Sequence, residues 1–388
     1  MSIRYFATNR DRENLGQNRS RKKRISLQKG GYHFVNMQAY MSYYLSEVDA
    51  KSMPEEVIVE NSPKEVFGNF LENDRIGSVV VCVHGFNVHF HQAQTWFGIL
   101  TDSLMKCERL RGKIVTDPLD NQQKKILTGK NTAKGSLTAF IGFSWPSNGS
   151  VFSYLGDQRE AMGSASILGN VIMRLRRLKN KPSVNLICHS MGNFLTCHML
   201  KKMLEEEAGK APKELRIRLD RLQDQNVPPG ERYFIDRYIM LAADVERRHV
   251  TKCVTNASKI GKVDEVTTYI GPFYSGLEHL AGQVHNFYSR FDGALAISNI
   301  EKAPRKLVES SKGFLDKVTF GVLDFLEKNP DHKWEQRLGA TQHPMIAPPN
   351  MQSHNTTELS GREIGHSDYV DSMEIVDAIA QVLSSPLK

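Results

Sequence analysis

The 388-residue chain is poor in cysteine, and its five cysteines (Cys82, Cys107, Cys188, Cys197 and Cys253) are scattered without paired spacing. That excludes a disulfide framework and a zinc knuckle and leaves free thiols as the expectation. Long apolar runs are missing too, so no segment reads as a transmembrane helix. Residues 1–6 lead straight into Arg10, Asp11, Arg12 and Glu13 with no signal-peptide apolar region, and a cytoplasmic location is expected. There is no glycine-rich phosphate loop, no internal repeat and no low-complexity tract.

What is present is an ordinary globular composition, 40% hydrophobic and 24% charged, with a net charge of +8. The excess is local. Arg19, Arg21, Lys22, Lys23 and Arg24 form one basic cluster, and Arg174, Arg176, Arg177, Lys179 and Lys181 form another. Solvated loops and helix ends commonly look like this, and no nucleic-acid-binding motif accompanies either cluster, so nucleic acid is not an expected partner. A protein or anionic-surface partner stays open, and oligomeric state is not specified by the sequence.

The chain alternates strands with helical stretches of crossover length. The apolar run at 79–83 reads as a strand buried on both faces of a parallel sheet, and 138–143, 184–188 and 238–243 read as further strands, with another over 284–290. Between them, 89–106 and 157–178 carry apolar stripes at helical spacing. The order predicts right-handed βαβ units and an α/β fold with helices on both faces of a mostly parallel sheet. A single domain over 1–388 is expected, with charged or loop-like insertions at 111–136, 202–231 and 300–345. The last of these contains a broadly apolar helix over 306–328 that could serve as a lid or as a plain packing helix. A terminal helix is expected over 370–383.

The chemistry centres on Cys188, His189, Ser190, Met191 and Gly192. A serine at a sharp turn from strand to helix has its hydroxyl thrust out at the carboxyl edge of the sheet, the geometry of a nucleophile elbow. Gly192 supplies a small residue two positions after the serine; Cys188 stands where glycine is usual two before it. The Met191 N–H lies at a helix N-terminus and can face developing negative charge. A serine that simply caps a buried helix is the alternative.

A second donor comes from His84, Gly85, Phe86 and Asn87, directly after the 79–83 strand, where Gly85 allows a close turn and the Phe86 N–H can point into the same space. Phe86 and Met191 would then form an oxyanion hole. His84, Asn87, Trp145 and His189 are candidates to line the pocket, with core packing an equal alternative for Trp145. A serine needs a base, and a base needs a carboxylate to hold its tautomer. His366, after the last strand region and just before the terminal helix, fits the base ahead of the competing His332, His343 and His354, which sit in less ordered-looking sequence. Asp244 and Asp292 both end strands. Asp292 follows the second strand after the serine, as the orienting acid should, and Gly293 helps to aim it. Asp244 is the fallback acid, or the cap of a helix starting near Val245.

Several motifs in this order carry a resemblance: 5–10 (YFATNR), 83–87 (VHGFN), 143–147 (FSWPS), 189–193 (HSMGN), 243–245 (ADV), 289–295 (SRFDGAL) and 365–367 (GHS). Together they resemble a bacterial branch of the α/β-hydrolase superfamily known as a domain of unknown function. The resemblance implies an α/β-hydrolase fold, serine-hydrolase machinery with Ser190, Asp292 and His366 as triad, and no metal or organic cofactor. It supplies no substrate. The expected activity is cleavage of an ester or related acyl bond on a small or lipid-like molecule, with amide hydrolysis through the same triad and a non-catalytic scaffold as rivals.

Overall fold

The computed structural model describes residues 3–10, 32–37, 64–86, 88, 90–147, 154–207, 233–250, 274, 276–298, 337–341 and 347–387. The strands are β1 (Tyr5–Thr8), β2 (His33–Asn36), β3 (Ile76–Val83), β4 (Ile114–Val115), β5 (Leu137–Ser144), β6 (Ser183–His189), β7 (Ile235–Leu241), β8 (Ala281–Tyr288) and β9 (Met351–Asn355). The helices are α1 (Phe90–Lys106), α2 (Asn121–Thr128), α3 (Tyr154–Arg176), α4 (Met191–Glu207), α5 (Gly276–Leu280), α6 (Gly293–Ser298), α7 (Thr356–Ser360) and α8 (Met373–Ser384).

The nine strands form one sheet in the order β2-β1-β5-β3-β6-β7-β8-β9, with β4 beside β5. Among the described strands β1 and β2 pair antiparallel, and the other pairs are parallel. The consequence for function is positional. Register aligns Val83 of β3 with Phe143 of β5 and with Cys188 of β6, so these strands end at one edge of the sheet. Open α/β sheets place ligands at that carboxyl edge.

Alternation along β3 explains the layers. Val79, Val81 and Val83 pack on one face with Ala165, Leu168 and Ile172 of α3 and Leu195 and Met199 of α4. Val80 and Cys82 point the other way, toward Phe97, Leu100 and Leu104 of α1 and Ile375 and Ile379 of α8. Period-two side chains buried on both faces are what an uninterrupted apolar strand requires. Gly142 of β5 leaves room for Phe6: a Cβ there would fall 2.1 Å from the ring.

Some boundaries differ from the sequence reading. The lysine-rich stretch 111–136 contains β4 and the two-turn helix α2, whose start is capped by Asp120 accepting from the Gln122 and Gln123 amides. Strand β9 is not marked in the sequence, because Met351–Asn355 is a polar pentapeptide at the sheet edge, without the apolar run that marks an inner strand. The terminal helix begins at Met373, after a separate short turn at Asp368–Val370. The helix expected over 306–328 lies outside the described residues, as does 300–345 apart from 337–341, and 202–231 beyond Glu207. Among the described residues no helix is long and apolar enough to cross a membrane.

One buried ion pair fixes the base of the central strands. Arg176, at the end of α3, reaches Asp236 of β7 at 2.7 Å, and the same carboxylate oxygen accepts the Val184 amide of β6 at 2.7 Å. Asp236 has no solvent exposure. Removing one partner of such a pair strands a buried charge and costs about 3–5 kcal/mol. Arg176→Met is expected to lower the unfolding free energy by that amount, read as a lower urea midpoint at unchanged slope; a midpoint shift corresponding to under about 1 kcal/mol would contradict this.

Candidate active site

Ser190 sits between β6 and α4 with a left-handed backbone, φ +52°. A serine there is strained by about 1–3 kcal/mol, and the surroundings hold it in place. Its amide donates to Leu241 O at 3.0 Å, and its carbonyl accepts from the Asp244 amide at 3.2 Å. Ala242, at the matching end of β7, is also left-handed, φ +47°. Asn193 completes the turn: its side-chain NH2 lies 3.1 Å from Cys188 O, 3.2 Å from Ser190 O and 3.1 Å from Leu241 O, and its Oδ1 accepts from Tyr238 OH at 3.0 Å.

Two glycines make the turn sterically possible. A Cβ on Gly85 would lie 2.7 Å from Ser190 Cβ, and a Cβ on Gly192 would lie 2.6 Å from His84 O. No comparable demand falls on position 188. Cys188 is buried, its Sγ lies 3.2 Å from Thr196 Oγ1, and burial pushes its thiol up to about 12, so it is an inert space-filler.

Asp292 and His366 are brought together. His366 Nδ1 lies 2.9 Å from both carboxylate oxygens of Asp292, which is buried. With Nδ1–H donated to the carboxylate, Nε2 is left as the acceptor. Among the described residues neither His366 Nε2 nor Ser190 Oγ has a hydrogen-bond partner. Burial pulls the His366 pKa down, but the charge and hydrogen bond of Asp292, with a further push from Asp244, outweigh it and leave the pKa above the ordinary imidazole value.

The loop carrying His366 is latched through three of its carbonyls. Ser289 Oγ donates to Ile364 O at 2.5 Å, His189 Nε2 to His366 O at 2.8 Å, and Trp96 Nε1 to Ser367 O at 3.2 Å. His189, next to Ser190 in sequence, is therefore tied to the loop carrying His366. Burial lowers its pKa to about 3, helped by the neighbouring His366, so it stays a neutral donor. Its ring lies 4.8 Å from that of His366 and 4.7 Å from Trp96.

Asp244 does not touch His366. Its carboxylate accepts Tyr154 OH at 2.6 Å and faces Arg337 Nε at 3.2 Å. Nor does it cap a helix at Val245, since the next helical turn starts at Arg247. Of the pocket candidates, Trp145 is fully buried and His84 is 2% exposed. They stack on each other at 5.5 Å instead of lining open space, because the Trp145 indole N–H needs an acceptor and finds His84 O at 2.9 Å. Asn87 lies outside the described residues. Met191, as the first residue of α4, has no intrahelical acceptor for its N–H, and Phe86 N–H has no acceptor among the described residues. The same residues form no cluster of three or more metal-ligating side chains.

Residues 59–313 match the family described as "Alpha/beta hydrolase of unknown function (DUF900)". The chain belongs to that family. The match takes in Ser190 and Asp292 and stops short of His366. An uncharacterized protein of Nostoc sp. (strain PCC 7120), alr1448, is 43% identical over 391 residues, covering 99% of this chain and 94% of the relative. The parallel sheet with its two helical layers is thus that of an alpha/beta hydrolase.

Around the candidate site, Asn193 and Trp96 are among the residues that the sequence reading does not single out individually. Asn193 is visible in the motif 189–193, and an amide three residues into a helix after a sharp turn is a signal for backbone bonding. Trp96 reads only as part of a helix stripe. Asn193→Leu removes an amide shared by three carbonyls, of which Ser190 O and Leu241 O keep backbone donors, together with the side-chain acceptor of Tyr238 OH, and is expected to cost about 1–3 kcal/mol of stability. Calorimetry beside Asn193→Asp would check this; an unchanged melting temperature in the leucine variant would contradict it.

Proposed function

We propose that this alpha/beta hydrolase is a serine hydrolase that cleaves carboxylic esters through an acyl-enzyme. The observation that carries the reading is the bidentate approach of His366 Nδ1 to buried Asp292, in a loop latched by His189 to the strained Ser190 turn. Asp292 lies after the second strand beyond the serine, in the chain order serine, acid, histidine.

In this reading Ser190 Oγ attacks the ester carbonyl carbon while His366 Nε2 takes the hydroxyl proton. The carbonyl π electrons move to oxygen, and the Phe86 and Met191 amides receive that oxyanion. Collapse expels the alkoxide, which leaves as alcohol with the proton from His366. Water, deprotonated by the same nitrogen, then attacks the acyl-enzyme and releases the carboxylic acid and free Ser190. Asp292 holds the imidazole tautomer and stabilises the imidazolium. Arg337 and Tyr154 engage Asp244 and leave Asp292 as the carboxylate that orients the base.

A fluorophosphonate probe tests the reading: wild type should label and Ser190→Ala should not. A clean preparation that hydrolyses no short-chain p-nitrophenyl ester and shows no Ser190-dependent labelling would overturn it. Asp292→Asn should lower kcat by about 10³–10⁴-fold, because the amide cannot hold the required tautomer; Asp244→Asn abolishing turnover while Asp292→Asn spares it would reverse the two acids.

The pH dependence has a defined sign. His366 accepts the proton only when neutral, so kcat/KM rises with pH through its pKa. That pKa is raised, and the limb should fall above the ordinary imidazole value of about 6.5. Residual activity of Asp292→Asn should show the limb moved to lower pH, since the main raising influence is gone. A limb that does not move between the two proteins would assign it to another group.

A further inference from the structure

The Phe86 amide needs something to aim it at an oxyanion, and the motif at residues 5–10 has no part in the triad. Both meet in one buried chain of hydrogen bonds. Arg10, 2% exposed at the end of β1, donates from Nε to Ser144 Oγ at 3.0 Å and from Nη2 to Val88 O at 3.0 Å. Ser144 Oγ lies 3.0 Å from His84 Nε2. The Trp145 amide donates to that same nitrogen at 3.2 Å. His84 Nδ1 lies 2.9 Å from Gly85 O.

The polarity of this chain is determined from its first member. A guanidinium has donors and no acceptor, so Ser144 Oγ must accept from Arg10 and its one proton is free to go to His84 Nε2. With the Trp145 amide also donating there, Nε2 is the acceptor nitrogen, and the ring proton sits on Nδ1, which donates to Gly85 O. Gly85 C=O and Phe86 N–H belong to one planar trans peptide and point in opposite directions. Holding the carbonyl therefore directs the amide hydrogen. Burial and the nearby Arg10 charge drive the His84 pKa down to about 3, so the imidazole stays neutral.

We propose that Arg10, Ser144 and His84 are positioning residues that orient the Gly85–Phe86 peptide so that the Phe86 N–H faces the oxyanion formed at Ser190. The proposal rests on the serine-hydrolase reading. It gives the end of β1 a functional role, because Thr8 Oγ1 donates to Ser144 O at 2.6 Å and accepts the Arg10 amide at 3.0 Å, which holds Arg10 against β5. It also accounts for an arginine buried beneath a site whose reacting groups it does not touch.

Two kinds of measurement separate the hydrogen-bond chain from the esterase reading. In full-length Ser190→Ala protein carrying ¹⁵N-labelled histidine, where no turnover is needed, the His84 ring should report a neutral imidazole with the proton on Nδ1. A proton on Nε2 overturns the proposal whether or not the protein is an esterase. In the active enzyme, Ser144→Ala and Arg10→Met should lower kcat for a p-nitrophenyl ester about tenfold or more, with KM within about twofold. They should weaken inhibition by a trifluoromethyl ketone, whose tetrahedral adduct places an oxyanion in the same position, by a similar factor. Arg10→Lys, still a pure donor, should recover most of the loss, and the pH limb assigned to His366 should stay in place. Folded Ser144→Ala and Arg10→Met proteins with wild-type kcat and ketone affinity would overturn the proposal. If either variant fails to fold, the histidine tautomer and the Arg10→Lys kinetics still decide it. Absence of Ser190 labelling in wild type, by contrast, would overturn the esterase reading, and the tautomer measurement would judge the hydrogen-bond chain on its own.

Discussion

The left-handed backbone of Ser190 is the constraint from which the rest of the site follows. A non-glycine residue at φ +52° is unfavourable by about 1–3 kcal/mol, and it persists only where neighbours leave no alternative. Here those neighbours are the flanking central strands. β3 presses from one side, with Gly85 and Gly192 stripped of side chains so that the backbones can meet. β7 holds the other side through the Leu241 and Asp244 backbone bonds. Asn193 gathers carbonyls from both sides of the turn. The buried Arg176–Asp236 pair at the opposite end of β6 belongs to the same design, since any slip of β6 against β7 would move the serine off the sheet edge.

Two carboxylates contribute to the field at His366, and their partners separate them. Asp292 presents both oxygens to His366 Nδ1. Asp244 is engaged by a phenol and a guanidinium, and it acts on His366 only through charge. The competition between burial, which favours neutral imidazole, and two negative charges, which favour imidazolium, ends with the charges ahead. The pair Arg337–Asp244 also anchors segment 337–341, whose Gly339 lies so close to Ala242 and Ala243 that a Cβ would overlap their backbone.

The layered α/β fold was legible because its inner strands are apolar on both faces, a pattern that only a sandwiched parallel sheet explains. Polar edges were less legible. β9 carries Gln352, Ser353, His354 and Asn355, and nothing in five such residues distinguishes a strand from a loop until β8 lies beside them. Ser190, Asp292 and His366 could be singled out as candidates because each follows a strand end or precedes a helix in a fixed order, and the structure brings Asp292 and His366 together. Several supporting contacts could not be, because they join positions 60 to 271 apart in the chain, as between His84 and Ser144 or Trp96 and Ser367. Trp145 and His84 look like pocket residues by position. Stacking and mutual hydrogen bonding put them in the interior instead.

Three histidines lie close to the serine turn, and their environments sort them into two kinds. His84 and His189 are buried among donors and acceptors that suit a neutral ring, and both pKa values fall to about 3. His366 alone of the three meets a carboxylate, and its pKa rises. The same side chain thus serves twice as a fixed neutral dipole and once as the partner of a buried carboxylate. The division is physically necessary. Were His189 to become charged beside His366, the two cations would repel across rings 4.8 Å apart and push the His366 pKa down. Were His84 charged, it could no longer accept from Ser144 or Trp145, and two donors would face a third. Neutral imidazoles at His84 and His189 therefore leave His366 as the one ring of the three whose pKa is raised.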